Sequence, residues 1–208
     1  MARLTPDRTL RMVQFAILTA LTVVLQLLCS VMSIGTITIT LSLVPVVIGA
    51  ALFGVYGGTF LGFVLGLVNF ISSFSNPFLL FLFQASPFLY ILTCFGKTMV
   101  AGAVAGLLYR VNARAGHQYV GVTLAALTAP VINTGIFFVM MALFFRTPIV
   151  AFFGDVGGNI LVFIMTTLIG VNFFVEFGLN AVLCPAIARI ISAVRTARHP
   201  SGPTSTEA

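Results

Sequence analysis

The chain has 208 residues, 60% of them hydrophobic and 7% charged, with a mean hydropathy of +1.17. Soluble globular domains carry about 25% charged residues, so this composition excludes one and points to a polytopic membrane protein. The formal net charge of +6 does not indicate nucleic acid, because nearly all of it falls before, between and after apolar stretches, where cytoplasmic segments belong.

At about 20 apolar residues per span, this length allows roughly six helices in one compact bundle, an all-α integral membrane fold. Residues 1–11 form a cytoplasmic N-terminal segment with Arg3, Arg8 and Arg11, ahead of a six-helix membrane domain over 12–191. The start resembles a signal peptide, but no small-residue cleavage site ends it and more spans follow, so it reads as a retained helix. The first span covers 12–32, and the alternating Ile and Thr of 33–40 suit a short extended segment. A second span covers 41–56, with Pro45 in its first turn, and ends at Gly57-Gly58. The third, over 59–74, follows Gly58, Gly62 and Gly66 at four-residue spacing, a surface that lets another helix approach closely.

Residues 75–92 contain the breakers Asn76-Pro77 and Ser86-Pro87 and are apolar enough to stay near the membrane, but are not assigned as a span. The fourth helix covers 93–111, a solvated loop 112–118, and the fifth helix 119–145, where Pro130 predicts a kink. After a connection over 146–158 with Asp155, the sixth helix runs over 159–191, long enough that it must tilt or bend. Residues 192–208 form a polar cytoplasmic tail with a disordered composition. The cysteines Cys29, Cys94 and Cys184 are isolated and read as inert buried thiols.

With six spans, Arg3, Arg8, Arg11, Arg110, Arg114, Arg189, Arg195 and Arg198 share one side, while Lys97, Arg146 and Asp155 fall on the other. The positive-inside rule makes the first side the cytoplasm, with both termini there. The external rim then gathers polar groups suited to a small-molecule site: Asn69, Gln84, Tyr90, Lys97 and Asn159, with Ser72, Ser73, Asn76 and Ser86 nearby. Lys97 is the only lysine; it could pair with an anionic group of a ligand or snorkel to the interface. Asn133, beside Pro130, could join the site or bond carbonyls freed by the proline.

Glu176 is one of four acidic residues and lies within an apolar stretch, with Asn172 and Asn180 one turn away on either side. A charge facing lipid at mid-helix costs about 2.5–3.5 kcal/mol, so this stripe must face other helices or a cavity. It serves as interhelical glue or, alternatively, as an ion or proton site. No metal cluster, H-E-x-x-H, G-x-S-x-G, P-loop or carboxylate pair occurs, and His117 and His199 fall in polar segments. An enzyme is therefore not expected, and neither is a cofactor.

Several stretches together resemble the substrate-binding S components of energy-coupling factor (ECF) vitamin transporters. These are TITLSLVPVVIGAALFG at 38–54, the glycine-spaced third helix, GKTMVAGAVAGLLYR at 96–110, PVINT at 130–134 and VNFFVE at 171–176. The family's A-x-x-x-A motif, which docks on the transmembrane coupling subunit, is matched by Ala16 and Ala20; physically, two small residues one turn apart leave a groove for a crossing helix. The resemblance implies a six-helix bundle in a prokaryotic plasma membrane that captures a vitamin from outside. It also implies partnership with a coupling subunit and two ATPases, and toppling of the bundle to release cargo inward. The start Met1-Ala2 lacks the Met-His of nickel and cobalt members, and no Trp is present for ring stacking. Pantothenate is the vitamin the resemblance favours, with riboflavin and folate also open. The rival reading is an autonomous secondary carrier or channel using Glu176; a small-residue outer surface on helix one discriminates the two.

Overall fold

A computed structural model describes residues 6–31, 33–34, 37–38, 42–154 and 158–198. The elements in chain order are α1 (Pro6–Val31), β1 (Ser33–Ile34), β2 (Ile37–Thr38), α2 (Leu43–Ser73), α3 (Pro77–Ala85) and α4 (Pro87–Arg114). They continue with α5 (Gln118–Phe144), α6 (Arg146–Phe153), α7 (Ile160–Phe163), a π-helical segment (Ile164–Gly170) and α8 (Val171–Arg198). Arg3, Asp155 and residues 199–208 of the expected tail lie outside the described residues. Among those described, five helices are long and apolar enough to cross a membrane: Arg8–Ser30, Leu43–Ser73, Pro87–Arg114, Gln118–Phe144 and Asn172–Ala193. Of the segment expected to be extended, residues 33–34 and 37–38 are described, and they form an antiparallel pair with Ser33 opposite Thr38 and Ile34 opposite Ile37.

The second and third expected spans are joined in one helical element, α2, and the chain turns at Gly54 rather than at Gly57-Gly58. Gly54 has φ 75° and ψ −163°, a conformation essentially restricted to glycine. The reversal is visible in the contacts: a Cβ added to Gly58 would lie 2.8 Å from Ala50 Cβ. Eight residues of straight helix would instead separate such positions by about 12 Å. The arms 43–53 and 55–73 thus lie side by side. The first arm spans only about 16 Å at 1.5 Å per residue, against a hydrocarbon core of about 30 Å.

The glycines of the second arm do what their spacing predicts. A Cβ on Gly58 would stand 2.2 Å from Gly102 O, and one on Gly62 would stand 2.3 Å from Thr98 O. Backbone meets backbone along α2 and α4, and no residue larger than glycine fits at either point.

Prolines expected to break the 75–92 connection start helices instead. Pro77 and Pro87 sit in the first turns of α3 and α4, where the missing N–H is no loss. Asn76 caps α3, its Oδ1 accepting from Phe78 N at 3.0 Å and Leu79 N at 3.2 Å. As a result α4 begins at Pro87, six residues before the position read from the sequence, and takes in Tyr90. Residues 146–153 are likewise helical, as α6. The sixth expected helix is divided into α7, the π segment and α8.

Two apolar cores stack along the bundle. One joins Leu18, the first arm of α2, Tyr109, Val122, Ile187 and Ile191. The other joins Phe78, Leu82, Tyr90, Met141, Phe145, Ile149 and Ile164. Phe15 of α1 packs on Phe53 beside the Gly54 turn, ring centroids 5.0 Å apart, so this turn lies at the Pro6 end of α1. Near the opposite end of α1, buried Gln26 Oε1 accepts from Ser42 Oγ at 2.5 Å.

Candidate functional site

Beside the Phe145 core, on its side toward the Leu18 core, lies a cavity of about 60 Å³ lined from α2, α3, α4, α5, the π segment and α8. Its volume holds several waters. From α4 it receives Tyr90, Thr93, Cys94 and Lys97, spaced i, i+3, i+4 and i+7 and therefore on one helical face. From α5 come Asn133, Thr134 and Phe137; from the π segment Leu168 and Ile169; from α8 Asn172, Phe173 and Glu176. Asn69 of α2 and Leu79 of α3 complete the lining.

Helix directions set the depth of each group. Lys97 Nζ lies over the Phe137 ring, 4.8 Å from its centroid, while farther along the pair a Cβ on Gly121 would sit 3.0 Å from Asn112 Cβ. The helices α4 and α5 are therefore antiparallel. Cys184 Sγ lies 3.4 Å from Thr123 Oγ1, and with the shared cavity lining this makes α8 antiparallel to α5 as well. Lys97, Asn133 and Glu176 are thus, each on its own helix, the lining residues nearest the Leu18 core, the floor side of the cavity, with Lys97 level with Phe137, one turn of α5 short of Asn133. Tyr90, Leu79 and Leu168 stand nearer the Phe145 core.

The floor is well buried: Asn133 is 3% and Glu176 4% exposed. Two amide atoms of the lining, Asn69 Nδ2 and Asn133 Oδ1, are buried with no hydrogen-bond partner among the described residues. An unpaired buried polar atom costs about 1–3 kcal/mol, so each is a place where a ligand group would be stabilised. An aromatic cluster adjoins the lining at Tyr90. Tyr90 packs near Phe70 and Phe83, with centroid distances of 6.4 and 6.0 Å, and Phe70 and Phe83 are 5.7 Å apart.

Of the residues singled out from the sequence, Asn69, Tyr90, Lys97 and Asn133 line the cavity, and Asn172 and Glu176 of the polar stripe join them. Gln84 does not. It is exposed on α3, two residues from buried Leu82 and so about 200° around the helix. Asn159 is exposed too, and its Oδ1 is engaged in capping α7 through Leu161 N at 3.0 Å. Asn180 is fully buried but outside the lining, its Nδ2 donating to the backbone O of Glu176 at 2.8 Å. Ser73 Oγ donates to Phe70 O at 2.6 Å, and Asn76 is engaged as a cap.

Thr93, Cys94, Thr134, Phe137 and Phe173 are lining residues that sequence reasoning misses. The signal for the first two is the i, i+3, i+4, i+7 run through Tyr90 and Lys97, which is hidden as long as the connection before 93 is not taken as helix. For the α5 and α8 residues the signal is adjacency: Thr134 follows Asn133, and Phe173 follows Asn172.

Ala16 and Ala20 lie on the exposed side of α1, one turn apart, with Val13, Ile17 and Val24 also exposed. Leu18 and Thr22 of the same helix are buried. The two small residues thus stand on the outer surface.

No curated protein and no solved structure matches the chain. A family model, the substrate-specific component of ECF transporters, matches residues 10–188 and so covers the whole cavity lining and all but the outermost residues of the first and last spanning helices. This chain belongs to the family of ECF transporter substrate-specific components, multi-pass membrane subunits of transporters rather than enzymes.

Proposed function

We propose that this chain captures a vitamin in the cavity between α4, α5 and α8 and hands it to ATP-driven import. The carrying observation is the convergence of Lys97, Asn69 and Asn133 on one buried cavity, two of them with amide atoms left for a ligand. Apolar and aromatic walls with a few convergent polar groups are the usual make-up of a small-molecule site. Lys97 supplies a partner for an anionic group, which favours pantothenate over the neutral riboflavin; folate also carries carboxylates. A cavity of about 60 Å³ accepts a polar head group, and a whole vitamin requires the aromatic cluster of Phe70, Phe83 and Tyr90 to part.

Orientation follows from charge. Arg8, Arg11, Arg110, Arg114 and Arg189 belong to the end of the bundle nearest Pro6 and the C-terminal parts of α4 and α8, while Arg146 belongs to the other. The positive-inside rule places the first end in the cytoplasm, with both termini, and the aromatic cluster toward the outside. The energy comes from a coupling subunit and two ATPases, docked on the exposed Ala16 and Ala20. An autonomous carrier or channel is not favoured by the family to which the chain belongs.

The test is binding of labelled pantothenate, riboflavin and folate to the purified chain, followed by uptake into vesicles with and without the coupling subunit and ATPases. The reading requires binding by the chain alone and uptake only with the ATPases and ATP. Gradient-driven uptake by the chain alone would contradict it.

A further inference from the structure

The chain has a single lysine and, among its described spanning helices, a single carboxylic side chain, and the structure brings both to the same cavity floor. Lys97 is the last lining residue along α4 and Glu176 the last along α8, and the Asn133 Oδ1 acceptor of the antiparallel α5 belongs to the same lining. A floor holding only a cation would accept any anion of suitable size. A carboxyl group beside it repels an anion that arrives alone, and attracts one that brings an N–H or O–H along. In a buried, weakly screened cavity this discrimination is larger than it would be at a surface.

We propose that Lys97 and Glu176 read two adjacent groups of one ligand. Lys97 takes a carboxylate, and the Glu176 carboxyl, with Asn133 Oδ1, accepts from an N–H or O–H a few bonds away. Glu176 is then a specificity-determining residue, and the ligand class is a small carboxylic acid with a donor close to its acid group. This rests on the cavity being the capture site. The amide N–H near the carboxylate of pantothenate satisfies the pattern; a plain fatty acid does not.

The experiment is calorimetric titration of the full chain in nanodiscs with pantothenate, with pantothenol, whose carboxylate is replaced by a CH2OH group, and with heptanoate, which lacks the donor. Wild type should bind pantothenate at least about tenfold more tightly than either of the others. Lys97→Met should abolish the preference over pantothenol, and Glu176→Leu the preference over heptanoate. Glu176→Gln keeps the shape and one acceptor oxygen, so it should fold as wild type and reduce the preference over heptanoate by at least about threefold. A purely structural Glu176 would weaken all three ligands alike. Unchanged ratios in both Glu176 variants, or in Glu176→Gln should Glu176→Leu not fold, would overturn the proposal. If folate, which also carries carboxylates, binds and pantothenate does not, the choice of vitamin falls and the variants are titrated with folate. A loss of about tenfold or more in Lys97→Met and Glu176→Leu, or a measurable loss in Glu176→Gln, then supports the paired floor, and wild-type affinity overturns it. Binding of riboflavin alone, which has no carboxylate, overturns the proposal and leaves the capture site standing. Binding of none of the three overturns both readings.

Discussion

The ammonium of Lys97 lies 4.8 Å from the centroid of the Phe137 ring, across the interface between α4 and α5. The ring's negative face holds the cation in place at the cavity floor, an interaction worth about 0.5–2 kcal/mol according to how well water is excluded. Replacing Phe137 with Leu keeps the apolar fill and removes that face. Affinity for an anionic vitamin should fall by roughly two- to tenfold, whereas Phe137→Tyr should stay near wild type, both read by titration calorimetry. Equal affinities in Phe137→Leu and wild type would mean that the ring does not position the lysine.

The surfaces proposed for coupling and capture are separated in space: Ala16 and Ala20 are on the exposed face of α1, and no described side chain of α1 lines the cavity. Changing both to Leu fills the small-residue groove with about three carbons each. ATP-dependent uptake in cells should be lost while the purified chain binds its ligand as before. Uptake at the wild-type rate by the double variant would place the docking surface elsewhere.

The α2–α4 contact tolerates no side chain at its centre. A Cβ on Gly62 would stand 2.3 Å from Thr98 O, one residue beyond Lys97. Gly62→Leu should therefore force the helices apart, lowering stability by about 1–3 kcal/mol or more and disturbing the cavity face of α4. Gly96→Ala, where an added Cβ meets nothing within 4 Å, is the control and should melt like wild type. Thermal unfolding of the two variants in the same detergent checks this.

Backbone strain is tested at Gly54. Nothing lies within 4 Å of an added Cβ there, so Gly54→Ala creates no clash, and its whole cost arises from forcing φ 75°, ψ −163° on an L-residue. We expect a destabilisation of about 1–3 kcal/mol. A variant as stable as wild type would show that the chain reverses elsewhere.

Membrane-embedded stretches are legible from apolar length, which is summed over many residues, but that sum does not separate the five helices long enough to cross from the short first arm of α2. Turns are not legible, since each depends on one residue. Gly54 is only one of several glycines in its neighbourhood, and nothing in composition marks it over Gly57 and Gly58 as the reversal. Pro77 and Pro87 read as breakers because a proline that ends one helix and a proline that opens the next differ only in the conformation of the residues after them. Missing the start of α4 hides Thr93 and Cys94, though Tyr90 and Lys97 stand out by their polarity. Gln84 and Asn159 stand out by the same polarity, and the structure uses one for solvent and the other as a helix cap. Polarity finds candidates; helix direction and phase decide which of them line one cavity, as Lys97, Asn133 and Glu176 do from three separate helices.

The central claim is that a small molecule is held in the cavity floored by Lys97. Native mass spectrometry of the chain released from membranes tests it most directly, comparing wild type with Lys97→Met expressed and purified identically. We predict a wild-type mass increased by one bound carboxylic acid of vitamin size, and a Lys97→Met protein that folds but carries none. The same adduct at the same occupancy in both proteins, or none in wild type after growth with the vitamins supplied, would contradict the account.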